Sequence, residues 1–128
     1  MICFISGGIT NVPDYMEKFE QAEQELKSLG FIPLNPAKMT FPLVQAGVVL
    51  SDASWLEICF AALKQCDALY HLTNWTDSSG ATKEHSFATA YDIPIFYQAN
   101  LELYQSSNLS AKALVHQQRL KSLLPPLS

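Results

Sequence analysis

The stretch ICFISGG at residues 2–8 decides the fold class of this chain. Five largely apolar residues are followed at once by two glycines. This pattern is typical of a short strand that is buried on both faces and ends in a tight turn. Strands buried in this way belong to parallel sheets that helices cover on both sides. The N-terminal strand therefore predicts an α/β protein.

Predicted helices and strands alternate along the rest of the chain. Apolar residues recur at helical spacing between Pro13 and Gly30. Pro33 lies within the second strand and predicts an edge position for it. Residues 37–51 show no firm periodicity and are predicted to form a long loop. The helix at 54–65 is apolar nearly all round and is expected to be largely buried. The other predicted elements are helices at 80–91 and 111–124, and strands at 31–34, 68–72 and 93–97.

This alternation predicts a parallel sheet of four or five strands with helices on both faces, a three-layer sandwich. One α/β domain is expected over residues 1–98. Residues 99–128 are expected to form a helical extension that packs on this domain or on a partner subunit. Ligands of such sheets bind outside the carboxyl ends of the strands, so the candidate site lies in the segments that follow them.

Composition narrows the possible partners. The chain has 128 residues, a formal net charge of −4 and 48% hydrophobic residues, which excludes intrinsic disorder. Polymeric nucleic acid is not expected as a partner, because no cations cluster along the chain. Only 16% of the residues are charged, against roughly 25% in ordinary domains. Part of the surface is therefore predicted to be covered by another subunit.

The lack of a recognisable signal peptide or membrane span, together with the cysteine pattern, predicts a cytoplasmic protein. The N-terminus lacks the basic flank and long apolar segment of a signal peptide, and no run approaches the roughly 20 apolar residues of a membrane span. Cys3, Cys59 and Cys66 form no CxxC pair, and they are predicted to be buried free thiols. The three histidines show no metal-ligand spacing with these cysteines. Neither a metal site nor a membrane partner is expected.

Glu84 is the candidate catalytic residue. Helical spacing places it on one face with Ala81, Phe87, Ala88 and Tyr91, and that face is otherwise apolar. A capping box is excluded as an explanation because Ala81 stands where Ser or Thr is required. Rotation of the helix that carries Glu84 into solvent is an open alternative. The functional interpretation is a poorly solvated nucleophile near a helix N-terminus, kept ionised by the helix dipole.

Small polar residues around this helix are the candidate substrate-binding groups. Asp77 and Ser78 precede the helix and offer an anion or hydroxyl site, although Ser78 or Ser79 alternatively only caps it. Trp75 is interpreted as a stacking surface for a base or sugar, or as loop packing. Gly7 and Gly8 allow close backbone approach, but they form neither a dinucleotide fingerprint nor a P-loop. Asn35 completes the candidate set at the end of the second strand.

Four motifs together resemble a known family: FISGGIT at 4–10, Asn35-Pro36, Cys66-Asp67-Ala68, and the segment from Trp75 to Glu84. They resemble a family of phage and prophage proteins known only as a domain of unknown function. That family is similar to the nucleoside 2-deoxyribosyltransferases and the deoxynucleoside 5′-monophosphate N-glycosidases. The resemblance covers residues 1–98 and is most specific between Trp75 and Glu84.

The resemblance implies a flavodoxin-like (Rossmann-like) sheet, a homodimer or higher homo-oligomer, and cleavage of an N-glycosidic bond without metal or organic cofactor. It implies that Glu84 attacks the anomeric carbon, that Asp77 or Ser78 holds the sugar or a 5′-phosphate, and that Gly7 approaches the sugar or base. The outcome would be hydrolysis or transfer, depending on whether water or a second base completes the reaction.

Two positions depart from the enzymes of the resemblance. Phe4 stands where they carry a tyrosine that positions the glutamate, and Cys59 stands where they carry an aspartate. Asp67 precedes its strand and is expected at the opposite edge of the sheet, which leaves Asp52 as a replacement carboxylate. Two alternatives to an enzyme therefore remain. One is a small-nucleotide-binding module with impaired catalysis, and the other is an interaction protein that docks through its C-terminal tail.

Overall fold

The computed structural model describes residues 1–100. The elements in chain order are β1 (Ile2–Ser6), α1 (Tyr15–Ser28), β2 (Ile32–Leu34), α2 (Pro36–Gln45), α3 (Asp52–Leu63), β3 (Ala68–His71), a single-turn 3₁₀ helix (Trp75–Asp77), α4 (Ser79–Ala90) and β4 (Ile95–Tyr97). The helix predicted at 111–124, and the predicted extension from residue 101 onward, lie outside the described residues.

The described strands form one parallel sheet in the order β2-β1-β3-β4. This is the order of flavodoxin-like doubly wound proteins as far as the fourth strand, and it confirms the predicted fold class. Pro33 lies in the edge strand β2, as a proline within a strand predicts. In the centre of the sheet Ser6 pairs with His71, so that β1 and β3 end side by side.

Alternating side chains of the strands supply two separate cores. Ile5 points to the face that α1 covers and packs there with Phe19. Phe4 points to the opposite face and packs with Cys59 and Leu63 of α3. A strand with successive side chains in different cores needs helices on both sides, and the molecule is accordingly a three-layer sandwich.

Residues 37–51 are not the long loop that the sequence predicted, because most of them form α2. Asn35 caps this helix by accepting two backbone N–H groups, and Pro36 occupies its first turn. The periodicity is hidden for two reasons. Every residue of 41–49 is exposed, the apolar ones included, and Pro42 stands inside the helix.

Helix α3 differs from its prediction in its start and in its burial. It begins at Asp52, after Ser51 has accepted the backbone N–H of Ser54 at 3.1 Å. Within it only Cys59 and Leu63 are buried. The expectation of a largely buried helix was wrong because α3 packs against the sheet and α4 on one side only. The remaining predicted boundaries agree with the structure within about two residues.

Within residues 1–100 no helix has the length and apolar character that crossing a membrane requires.

Candidate functional site

The turn after β1 packs closely against the end of β3. A Cβ atom on Gly7 would lie 2.5 Å from Leu72 Cδ1, so this position accepts only glycine without movement of the leucine. The backbone N–H of Gly8 donates to Asn74 Oδ1 at 3.1 Å. Asn11 adopts a φ of 61°, a left-handed conformation that asparagine tolerates well. These contacts fix the shape of the turn, which forms one wall of a cavity.

This cavity has a volume of about 710 Å³ and opens at the carboxyl edge of the sheet. Its walls include residues 7–14 after β1, Asp52 and Trp55 from the start of α3, residues 77–81 around the start of α4, and Glu84. We call it the Glu84 cavity. Its volume lies within the range of about 300–1,000 Å³ that is usual for small-molecule sites.

Glu84 lies on the buried face of α4. Its side chain is only 5% exposed, and Ala81 and Ala88 are buried on the same face. The alternative that helix rotation carries this carboxylate into solvent is therefore excluded. The predicted apolar stripe is shorter than expected, because Tyr91 is 54% exposed.

Two side chains from other elements approach the Glu84 carboxylate. Ser6, at the end of β1, donates its hydroxyl to Glu84 Oε1 at 2.8 Å. Cys59, a buried residue of α3, lines the same cavity, and the charge of Glu84 helps to raise the pKa of its thiol. The hydroxyl of β1 thus holds the carboxylate, which lines the cavity together with Cys59.

Burial raises the pKa of Glu84 to about 7, although hydrogen bonds from Ser6 and Cys59 act in the opposite direction. The expectation that the helix dipole keeps this carboxylate ionised is therefore corrected. The dipole acts mainly within the first turn of a helix. Glu84 lies in the second turn of α4, where loss of solvent contact dominates. The free site is partly protonated near neutral pH.

Cys59 occupies the position at which the resemblance implies an aspartate. Burial, and secondarily the charge of Glu84, raise the pKa of its thiol, so that it stays neutral and can donate a hydrogen bond. Asp67 does not replace it. Its carboxylate accepts the backbone N–H of Ile2 at 2.7 Å, at the amino edge of the sheet, which confirms the position expected from the sequence. Asp52, in contrast, lines the Glu84 cavity.

Four of the predicted substrate-binding residues lie in the cavity wall together with Glu84: Gly7, Gly8, Asp77 and Ser78. Ser78 also caps α4, because its hydroxyl accepts the backbone N–H of Ala81 at 3.1 Å. The capping alternative is therefore what the structure shows for Ser78, and its position in the wall is an additional property.

Asn35 and Trp75 do not line the Glu84 cavity. The amide oxygen of Asn35 caps α2, as described above. The indole of Trp75 stacks on His71 and His85, with ring centroids 4.1 Å and 4.7 Å apart. Packing, the alternative interpretation for Trp75, accounts for its position. His71 is fully buried and shares a 3.0 Å hydrogen bond between its Nε2 and His85 Nδ1.

Sequence reasoning missed Ser6 and Asn74 as parts of the site. Asn74 follows β3 at the carboxyl edge of the sheet and lines the cavity while it holds Gly8. Its position after a central strand was a usable signal. Ser6 gave no such signal, because a serine after an apolar run indicates only that the strand ends there.

Both signs of charge are present around the cavity. Lys18 and Asp14 form an exposed pair at 3.6 Å, and Lys83, Asp52 and Asp77 also line the opening. Within residues 1–100, no group of three or more His, Cys, Asp or Glu side chains is placed to hold a metal ion. The arrangement can bind a small polar molecule against a carboxylate of low solvation.

Fold and cavity define the class: a doubly wound parallel α/β protein with a buried carboxylate at the carboxyl edge of its sheet. The chain belongs to the family described as "Domain of unknown function (DUF4406)", whose model matches residues 1–97. The matched range includes all four strands of the sheet and Glu84. No curated protein matches the chain.

Proposed function

We propose that this protein acts at the N-glycosidic bond of a nucleoside or nucleotide, with Glu84 as the nucleophile. One observation carries the proposal: a carboxylate that is only 5% exposed, hydrogen-bonded by Ser6 at 2.8 Å, and part of the wall of an open cavity. Burying a carboxylate is costly unless it has a use or a partner. The resemblance to nucleoside 2-deoxyribosyltransferases supplies the reaction class.

The proposed reaction proceeds through two displacements. A carboxylate oxygen of Glu84 forms a bond to C1′ of the sugar, the bond from C1′ to the base breaks, and its electron pair leaves on the base nitrogen. The leaving base takes up a proton. Water or a second base then attacks C1′, releases the carboxylate and loses its own proton, so that the configuration at C1′ is retained. No redox step or external electron source is required.

The other cavity residues are assigned by chemistry. Asp77, Ser78 and the adjacent backbone N–H groups at the start of α4 are proposed to hold the sugar hydroxyls or a 5′-phosphate. Gly7 and Gly8 let the sugar approach the end of β1. Asp52 is the carboxylate that we assign to the leaving base, in place of the aspartate that Cys59 replaces. Asn35 and Trp75 have no part in this proposal.

The test is release of free base from a panel of nucleosides and their 5′-monophosphates, followed by chromatography. We expect turnover of at least one compound, and we expect Glu84→Gln to lower kcat by at least about 10³-fold. Glu57→Gln is the matched control, because Glu57 is exposed on α3 and lies outside the cavity lining. Absence of base release from every compound would refute the proposal.

A second candidate is a small-nucleotide-binding module with impaired catalysis. Two observations favour it. Phe4 places a ring without a hydroxyl in the core between the sheet and α3, and Cys59 places a neutral thiol beside Glu84. A thiol with a raised pKa is a poor proton donor to a leaving base. Calorimetry distinguishes the two candidates, because saturable binding of a nucleotide without base release would favour the module.

A homo-oligomer is proposed from the exposed apolar residues. Five large apolar side chains of residues 41–49 are between 38% and 94% exposed: Phe41, Leu43, Val44, Val48 and Val49. A surface of this kind is unusual on a monomer and suits a protein contact. The cytoplasmic location stays a prediction. So does the alternative of docking through the C-terminal tail, which lies outside the described residues.

A further inference from the structure

The buried hydroxyl of Ser6 has one strong interaction in the described molecule. Ser6 is only 1% exposed, and its Oγ lies 2.8 Å from Glu84 Oε1, a residue 78 positions away in the sequence. A hydroxyl that donates to a carboxylate makes a charge-assisted bond, stronger than a bond between neutral groups. This contact joins the end of β1 directly to α4.

The position of Ser6 suits it to fix the carboxylate rather than to stabilise the sheet. It is the last residue of β1, it pairs with His71 of β3, and the next residue, Gly7, lines the cavity. Phe4 lies one strand repeat earlier on the same face, but its ring packs in the apolar core and offers no donor. Ser6 is therefore the hydroxyl that β1 presents to Glu84.

A second group approaches the carboxylate from a different direction. The thiol of Cys59 belongs to α3 and lines the same cavity, and it lowers the pKa of Glu84 as the hydroxyl of Ser6 does. Thiols are weak donors, and the hydroxyl is consequently the stronger constraint of the two. Loss of the hydroxyl would leave the carboxylate less ionised and free to turn within the cavity wall.

We propose that Ser6 is a positioning residue that orients the Glu84 carboxylate for attack and favours its ionised form. The role of Ser6 in the reaction rests on the proposed function. Its effect on ionisation does not, because the titration of Glu84 can be followed without any substrate. The two statements can therefore fail separately.

The experiment compares wild type with Ser6→Ala, Ser6→Cys and Ser6→Thr. Carbon-13 NMR of labelled glutamate, assigned with Glu84→Gln, reports the titration of Glu84. We expect Ser6→Ala to move this titration to higher pH, because the lost hydrogen bond stabilised the charged form. Ser6→Cys is expected between the two, and Ser6→Thr, which keeps the hydroxyl, is expected near wild type.

The rate profile supplies the second readout. Ser6→Ala is expected to lower kcat by roughly 10- to 100-fold, with little change in KM, and to shift the acid limb of the pH profile upward. Ser86→Ala is the matched control. Ser86 lies on α4, the helix that carries Glu84. Its hydroxyl donates to the backbone carbonyl of Thr82, and the residue is exposed. The control is expected to change neither the titration nor the rate.

The outcomes separate the two claims. An unchanged Glu84 titration in Ser6→Ala would overturn the inference, whatever the rates are. A shifted titration in a protein that releases no base from any nucleoside would support the effect on ionisation and refute the proposed function. If Ser6→Ala does not fold, the titration of Ser6→Cys decides, and a value equal to that of wild type overturns the inference.

Discussion

Burying the carboxylate of Glu84 has a cost that depends on pH. The pKa of this group rises from an ordinary 4.5 to about 7 in the folded state, mainly through burial. Between these values the folded protein holds a proton that the unfolded chain has lost. The contribution of Glu84 to stability is therefore complete below pH 4.5 and is lost as the pH rises through about 7.

Replacement of Glu84 by glutamine removes this dependence. We expect the free energy of unfolding of Glu84→Gln, relative to wild type, to increase by about 2–3 kcal/mol between pH 5 and pH 8. Urea denaturation at the two pH values measures the difference, with Glu57→Gln as the exposed control. A difference between Glu84→Gln and wild type that stays constant with pH would contradict the burial of an ionisable group at this position.

At the residue scale, sequence reasoning found the group that breaks a pattern. Glu84 stands on an apolar helical stripe, and hydrophobic periodicity makes such a carboxylate visible. Ser6 and the thiol of Cys59 break no pattern, since a small polar or apolar residue fits where each one lies. Their importance comes from contacts between elements distant in the sequence, and only the packing of β1, α3 and α4 creates those contacts.

Helix α4 presents different chemistry on neighbouring residues. Glu84 faces the cavity, while His85 meets His71 of β3 under the indole of Trp75. One nitrogen of the histidine pair must lack a proton to accept the hydrogen bond between them. Within residues 1–100, Nδ1 of His71 has no hydrogen-bond partner. We therefore expect both imidazole rings of the pair to be neutral in the folded protein.

The histidine pair is expected to limit stability in acid. Burial, and secondarily the charge of His85, lower the pKa of His71 to about 3 from 6.5. The contribution of His71 is complete above pH 6.5 and is lost as the pH falls toward 3, because the unfolded chain takes up the proton first. We expect His71→Phe to reduce the loss of stability between pH 7 and pH 4.5 by about 2–3 kcal/mol. An equal loss of the free energy of unfolding in wild type and His71→Phe over this pH range, measured by urea denaturation, would contradict this.

The start of α2 provides a test that separates folding from binding. Asn35 caps this helix and lies outside the cavity lining. We expect Asn35→Ala to lower the free energy of unfolding by about 1 kcal/mol. Nucleoside binding, measured by calorimetry, is expected to stay unchanged. Weaker binding with unchanged stability would instead indicate that Asn35 is a substrate-binding residue.

At the element scale, prediction succeeded where one face of an element is buried. Helix α1 was predicted because Phe19, Ala22 and Leu26 lie buried at helical spacing. Helix α2 was missed because its cap at Asn35 was not used and because residues 41–49 are exposed although many are apolar. A pattern of burial cannot reveal an element whose apolar residues are not buried within the chain.

The whole molecule has few charged residues, and the apolar surface that this composition predicts is found on the exposed segment at 41–49. If a second copy covers this segment, charged substitutions there should separate the copies. We expect Val44→Asp combined with Val49→Asp to convert an oligomer to a monomer, as light scattering after gel filtration would show. Glu57→Gln, outside this segment, is the control. A wild-type protein that is already monomeric at high concentration would contradict the proposed oligomer.

The alternation of strands and helices predicted the parallel sheet, and Pro33 predicted an edge position for its strand, so the fold was predictable to that extent. The position of the cavity was also predictable, because parallel strands direct ligands to their carboxyl ends. Its lining was only partly predictable. Asp52 was expected there as a replacement carboxylate, but Trp55 was not, because the angle at which α3 packs is not encoded in any local pattern.

The proposed reaction requires that Glu84 forms a covalent bond with a sugar. Its most direct test is mass spectrometry of the intact protein after incubation with 2-fluoro sugar analogues of nucleosides and their monophosphates, which slow the second displacement. We predict one glycosyl adduct per chain, located on the peptide that contains Glu84 and absent from Glu84→Gln. An unmodified wild-type protein that also releases no base, or an adduct on another residue, would contradict the role of Glu84 as the nucleophile.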